Sequence, residues 1–326
     1  MDTRVPGLFG IEHPVIQGGM AWVADGRLAG AVSAAGGLGV VACGAAPLSW
    51  IEEQVAIARS LAPGAAVGAN VMLMNPDVES IADLLVRLRV DVVTTGAGSP
   101  ARFIERWKEA GIKVVPVVAQ AALAARMERL GADAVIAEGC EAGGHIGEMS
   151  TMALVPQVCD AVSIPVIAAG GIADARGAAA ARVLGAEGVQ VGTRFLTVEE
   201  CRVAEVYKDK VLRAKDSDTI VTGRVTGHPV RGLKNAWSRS MKSLERGVSD
   251  PHELEGMYAG SLRRAVEGDA EGGSFMAGQV AGLVKARGCA ADVVSELSEG
   301  FAAGEASACA AASLLAGVRE GGERRG

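Results

Sequence analysis

Eight short, almost wholly apolar runs constrain the fold of this chain more than any other feature. They are PVIQGG from Pro14, LGVVACG from Leu38, AVGANVML from Ala66, VDVVTTGAG from Val90, IKVVPVV from Ile112, ADAVIAEG from Ala132, IPVIAAGG from Ile164 and EGVQVGTRF from Glu187. A strand with one wet face alternates apolar and polar residues. These runs do not alternate, so both faces are covered, as in a parallel sheet. Their starts lie 20 to 32 residues apart, which leaves room for one helix between successive strands. Eight such units in series predict an α/β fold, a (β/α)8 TIM barrel, with a doubly wound open sheet as the alternative.

The intervening segments carry helix punctuation. Ser49 opens SWIE with capping-box spacing to Glu52, Ser99 is followed by Pro100 at an expected first helical position, and Asp174 precedes ARGAAAARVLGA. Gly36, Gly111, Gly131 and Gly185 each end a helical pattern just before the next strand, where a left-handed residue is favoured. With aromatics at 3% and hydrophobic residues at 49%, the core must be built from Ala, Val, Ile and Leu.

The rhythm breaks after Phe195. Residues 1–196 are read as the barrel. Residues 197–273, richer in charge and poorer in strand signals, are read as an inserted lid after strand eight, and 274–326 as C-terminal helices packing back on the barrel. GSFMAGQVAGLVKARG is expected to form a compact helix and the final GVREGGERRG a frayed tail.

A net charge of -6 opposes nucleic acid as a partner, since phosphate backbones need clustered positive charge. Cys43, Cys140, Cys159, Cys201, Cys289 and Cys309 show no CxxC pair or metal-ligand spacing, so they read as reduced thiols in a cytoplasm. The start lacks the apolar core of a signal peptide, and no apolar run approaches the roughly 18 residues of a membrane span.

In a barrel of this kind the chemistry sits in the loops after the C-terminal strand ends. There the chain places Gln17 to Met20, Asn70, TTGAG, Glu138 to His145, Gly170 with Gly171, and Gly192 with Thr193. Glycines after strands seven and eight, taken together, point to a phosphate-bearing cofactor held by backbone N–H groups; taken singly, each pair reads as turn glycines. His145, alone among four histidines, is enclosed by glycines in EAGGHIG. It reads either as a loop histidine bonded to backbone or as a catalytic group.

Several of these stretches, IQGGMAWVADGRLAGAVSAAGGLGVV, AEGCEAGGHIGEMSTMALVPQV, SIPVIAAGGIADARGAAAARVLGAEGVQVGTRF, GHPVRGLKN and GSFMAGQVAGLV among them, closely resemble the FMN-dependent enoyl-acyl-carrier-protein reductase II family. That family lies within the wider nitronate monooxygenase superfamily. The resemblance implies FMN on the barrel rim. Its phosphate would lie at Gly170, Gly171, Gly192 and Thr193 with Gly144 close by, and its ring and ribityl chain at Gly19, Met20, Asn70, Glu138, Met276 and Gln279. Cys43-Gly44-Ala45 and AQAA, after strands two and five, depart from the family's pattern.

The resemblance further implies reduction of a trans-2-enoyl thioester, on acyl carrier protein or CoA, with NADH or NADPH as donor and a monovalent cation as an optional cofactor. His145 would bond the thioester carbonyl or deliver a proton. Two other readings stay open: a nitronate monooxygenase, in which His145 takes a proton or binds the nitronate, and a non-catalytic flavin-binding barrel. A homodimer is the expected assembly. Eight Lys or Arg against three acids in residues 213–246 read as a solvated surface or as a dock for an acidic carrier protein, with Arg231 and Lys234 as its candidates. His228 is a candidate channel residue. Cys140 reads as packing, Glu141 as a solvent-exposed carboxylate, and His13 and His252 as structural.

Overall fold

The computed structural model describes residues 3–44, 46–247 and 252–323, with side chains described as far as residue 308 apart from those of 252 and 255. All eight apolar runs are strands. They are β1 Val15–Gln17, β2 Gly39–Ala42, β3 Val67–Met72, β4 Val92–Gly96, β5 Lys113–Val118, β6 Val135–Glu138, β8 Val166–Ala169 and β9 Gly188–Val191. Three further strands, β7 Gly144–His145, β10 Thr219–Thr222 and β11 Val230–Leu233, form a separate sheet.

The eight pair in parallel in the order β1-β9-β8-β6-β5-β4-β3-β2. The ring closes where Ile16 of β1 bridges Leu38, which excludes an open doubly wound sheet and makes the fold a (β/α)8 barrel. That seam is thin, and Gln17 reinforces it. Its fully buried side-chain oxygen accepts from Val40 N at 3.2 Å, adding a bond between the two strands. Gln17 therefore serves the seam rather than the rim.

Ile16, Leu38, Val40, Val92, Val115, Ile136, Ile167 and Ala169 share one buried cluster with Val5 and Phe9, so the short helix Val5–Phe9 plugs the barrel's lower end. Two larger clusters fill the layer between strands and outer helices; Phe103 and Trp107 stack at 5.2 Å in one of them.

Gly36, Gly111, Gly131 and Gly185 have φ of +84°, +80°, +95° and +102°, the left-handed backbone expected of them. Asp174 caps its helix, accepting from Arg176 N at 3.0 Å and Gly177 N at 3.1 Å. Ser49 does not cap: the helix Leu48–Leu61 starts earlier, with Pro47 at its N-cap, because proline already suits an entrance that needs no N–H. Pro100 likewise stands at the cap of Ala101–Glu109 rather than inside it.

After β9 come the helix Glu205–Arg213, the hairpin β10–β11 and the helices Ala236–Leu244, His252–Tyr258 and Ser261–Glu267. The hairpin is the strand signal missed in this segment. From Gly273 the chain runs extended into one short 3-10 turn, Gln279–Leu283, instead of the compact helix expected. Its backbone is committed elsewhere: Phe275 O accepts from Leu233 N at 2.8 Å, and Gln279 N donates to Glu141 O at 2.9 Å. The last helix, Ala290–Glu323, passes through the expected tail, since its alanine-rich sequence favours helix; residues 324–326 lie outside the described residues. Ser298 Oγ on this helix lies 2.9 Å from His13 Nδ1, a structural tie as expected. The side chains of His252 and Cys309 lie outside the described residues.

Candidate active site

Above the apolar plug the barrel interior turns polar. Asn70 pairs in register with Thr94, and Glu138 with Ala169, which pairs with Gln190. Each of Thr94 and Glu138 lies two residues beyond a member of the interior cluster, Val92 and Ile136, so strand alternation turns it to the same inner face. Asn70 donates to Thr94 Oγ1 at 2.9 Å. Gln190 packs beside Gly18, where an added Cβ would meet its side chain at 3.4 Å. The carboxylate of Glu138 has no hydrogen bond among the described residues, and burial alone pushes its pKa up to about 7. A carboxyl in that state is an acceptor without a donor. Thr94 lies in the TTGAG stretch that the sequence set on the rim, whereas Gln190 went unnoticed because it sits inside an otherwise apolar strand.

Facing this floor is a ring of glycines. Gly170 and Gly171 follow β8 with φ of +82° and +73°, a conformation open chiefly to glycine. A Cβ on Gly170 would stand 2.7 Å from Gly139 O, and one on Gly143 would stand 2.7 Å from the Ala277 carbonyl carbon. The backbone N–H groups of Gly170, Gly171, Gly192 and Thr193 have no acceptor among the described residues. Consecutive free N–H donors of this kind form an anion-binding concavity. Thr193 Oγ1 accepts from Gly278 N at 2.9 Å, leaving its own hydrogen free to donate.

Methionines flank the ring. A Cβ at Gly144 would lie 3.7 Å from Met276 Sδ, and one at Gly192 would lie 3.5 Å from Met20 Sδ; Gly19 abuts the Asn70 side chain so closely that a Cβ there would overlap it. Gln279 joins through its backbone bond to Glu141. Glu141 is not a free, solvated carboxylate: both its oxygens lie 3.0 Å from Thr151 N, and one lies 3.0 Å from Thr151 Oγ1. It caps the helix Thr151–Ala161, whose N-terminus favours negative charge.

His145 stands at the mouth, on β7. That two-residue strand pairs antiparallel with β11, His145 opposite Val230 and Gly144 opposite Arg231. The imidazole is exposed, its pKa lowered by desolvation and then by the neighbouring His228. The two rings meet edge to face, 6.5 Å between centroids. His228 therefore belongs to the mouth.

Arg231 does not face a docking partner. It is 9% exposed and turns inward, Nε donating to Cys140 O at 3.1 Å and an Nη to Thr219 Oγ1 at 3.2 Å. Every second residue of a strand points inward, and sequence charge alone did not reveal which. Lys234 is exposed, its ammonium on Ser217 O, and with Lys210, Arg213 and Arg239 it lines a groove of about 410 Å³ whose walls do not include His145. No helix among the described residues is long and apolar enough to cross a membrane, and none of their side chains groups three His, Cys, Asp or Glu about a metal site.

A barrel with a glycine-lined anion cradle, a polar floor and a pair of mouth histidines matches known proteins. A family model described as nitronate monooxygenase covers residues 2–86 and 52–300. The chain belongs to the nitronate monooxygenase family. Within that superfamily it is FabK-like: the solved structure of FabK from Thermotoga maritima is 47% identical, with a TM-score of 0.89, over 92% of this chain and 96% of that one. A nitroalkane oxidase from Streptomyces ansochromogenes is 28% identical, with a TM-score of 0.79, over 95% and 100%. A probable nitronate monooxygenase of Staphylococcus saprophyticus is 33% identical over 87% of this chain and 94% of its own length. A Mycobacterium tuberculosis relative, named as an octahydro-indene-carboxyl-CoA dehydrogenase, is 38% identical over 81% and 74%.

Proposed function

We propose that the protein reduces trans-2-enoyl thioesters, carried on acyl carrier protein or CoA, with NADH or NADPH as the donor and FMN as its cofactor. The observation that carries this reading is the 47% identity to Thermotoga FabK across nearly the whole chain. The mycobacterial relative's name supports a thioester substrate independently.

The residues present fit FMN. The free N–H groups of Gly170, Gly171, Gly192 and Thr193 would hold its phosphate, and a Cβ on Gly170 would fill that cradle. Asn70, Gln190 and the donor-starved Glu138 would take the ribityl hydroxyls. Gly19, Met20, Gly144, Met276 and Gln279 would border the ring. Bound there, FMN would supply the redox chemistry, carrying a hydride from the nicotinamide to the β-carbon of the substrate. His145 would bond the thioester carbonyl at the mouth, polarising it and fixing the acyl group over the cradle. Residues 197–273 would cover the substrate as a lid, since their strand β11 is hydrogen-bonded to the strand bearing His145.

Under anaerobic conditions, NADH should bleach the flavin spectrum of the purified protein and crotonyl-CoA should restore it. A spectrum that stays bleached with every enoyl thioester rejects the reading. The family model and the staphylococcal relatives favour a second reading, nitronate oxidation; it requires oxygen uptake with a nitronate in the absence of pyridine nucleotide.

A further inference from the structure

The loop that presents His228 is braced far more than an exposed turn needs. It joins β10 to β11, whose pairing ends at Thr222 opposite Val230. At its start Gly223 adopts a left-handed φ of +79° and presses so closely on the His228 carbonyl that a Cβ there would overlap it. His228 N returns a bond to Gly223 O at 3.1 Å, and Thr226 Oγ1 donates to the same oxygen at 2.9 Å. The N–H of Gly223 is held by the Glu245 carboxylate and lies 3.1 Å from Tyr258 Oη. Glu245, 7% exposed, also accepts from Tyr258 Oη at 2.8 Å and from Lys242 Nζ at 3.0 Å. A buried carboxylate with three donors is thus spent on fixing one loop. At the far end Ile146 N donates to Pro229 O at 3.1 Å, so the residues after both histidines are tied together.

The charged groups near His145 are otherwise occupied. On its own loop Glu141 is bound to Thr151, and on β11 Arg231 turns to Cys140 O and Thr219. Arg224 on the hairpin loop and Glu148 on the loop after β7 are exposed to solvent, and the extended Ser274–Gly278 segment carries no charge. After desolvation, His228 is the group that lowers the pKa of the His145 ring.

We propose that His228 is a positioning residue for His145: the braced hairpin holds its ring edge to face against the other imidazole, so that His145 meets the substrate carbonyl as a neutral hydrogen-bonding group. Like charges at this separation repel measurably even in a partly solvated site. A neutral imidazole polarises a carbonyl by donating N–H, and it does not require a stored proton. The role in substrate polarisation rests on the proposed thioester reduction; the pairing itself does not.

The test is histidine NMR on the purified, flavin-loaded full chain. With only four histidines, the ring signals can be assigned by single substitutions. In His228→Gln the His145 titration midpoint should move to higher pH, and in His228→Lys, which fixes a positive charge there, to lower pH. The low-pH limb of kcat for crotonyl-CoA should move with it in each variant, while KM for NADH stays put. A midpoint unmoved in both variants, or moved the same way in both, overturns the pairing. Opposite NMR shifts in a protein that never reduces an enoyl thioester would keep the pair and reject the thioester reading instead.

Discussion

A single residue separates Ile136 from Glu138, and one separates Val92 from Thr94, yet each pair spans two different environments within one barrel. The lower layer is dry and closed by Val5 and Phe9; the upper layer holds Asn70, Thr94, Glu138 and Gln190 beneath a ring of glycines. The lower layer gains from every apolar contact, and the upper layer forgoes such contacts to keep polar groups waiting for a ligand. Stability and chemistry are therefore separated along the strand axis, and substitutions in the two layers should fail in different assays.

The largest contrast lies in turnover. His145→Ala should lower kcat for an enoyl thioester by about 10²- to 10⁴-fold with flavin content unchanged; a parental rate in that variant would remove the histidine from the mechanism. In the lower layer, Ile136→Ala should cost about 2–5 kcal/mol of unfolding free energy, read from denaturant midpoints, while the folded fraction keeps its kcat. Loss of activity without loss of stability there would erase the division between layers.

Gly170→Ala sits on the upper side and should fail twice over. A left-handed alanine costs about 1–2 kcal/mol, and its Cβ meets Gly139 O, so the protein should emerge colourless from purification; full flavin content would refute the cradle. Glu138 offers a subtler check. Its pKa rises from 4.5 to about 7 on folding, so the folded, flavin-free protein holds this proton more tightly than the unfolded chain. The associated stability is present below about pH 4.5 and is lost as pH climbs toward 7. Glu138→Gln should flatten that decline in Tm, and identical Tm profiles for the two proteins would count against it. The smallest effect concerns the groove, now that Arg231 is excluded. Lys234→Glu and Arg239→Glu should each raise KM for a carrier-borne substrate about two- to fivefold and leave crotonyl-CoA unaffected; equal changes on both substrates would speak against docking.

What the sequence revealed, and what it hid, follows from how local each signal is. The barrel strands and their glycine stops were readable because each depends on a run of fewer than ten residues. The paired glycines at 170–171 and the histidine at 145 stood out for similar reasons. By contrast, β7 is two residues long and exists only through β11, some 85 positions onward, so no local pattern announced it. Gln190 was masked by apolar neighbours, and the inward turn of Arg231 needed the strand register. Ser49 misled because a capping motif competes with whatever precedes it, here Pro47.

The strand that carries His145 also bears on the order of assembly. Its ladder partners, Val230 and Arg231, leave the ribosome long after the chain through β9 can close into a ring. Contacts so distant along the chain form late, after the local βα units have condensed. A polypeptide ending near residue 200 would thus lack the strand pairing that aligns its histidine and the Met276 and Gly278 contacts that complete the glycine ring.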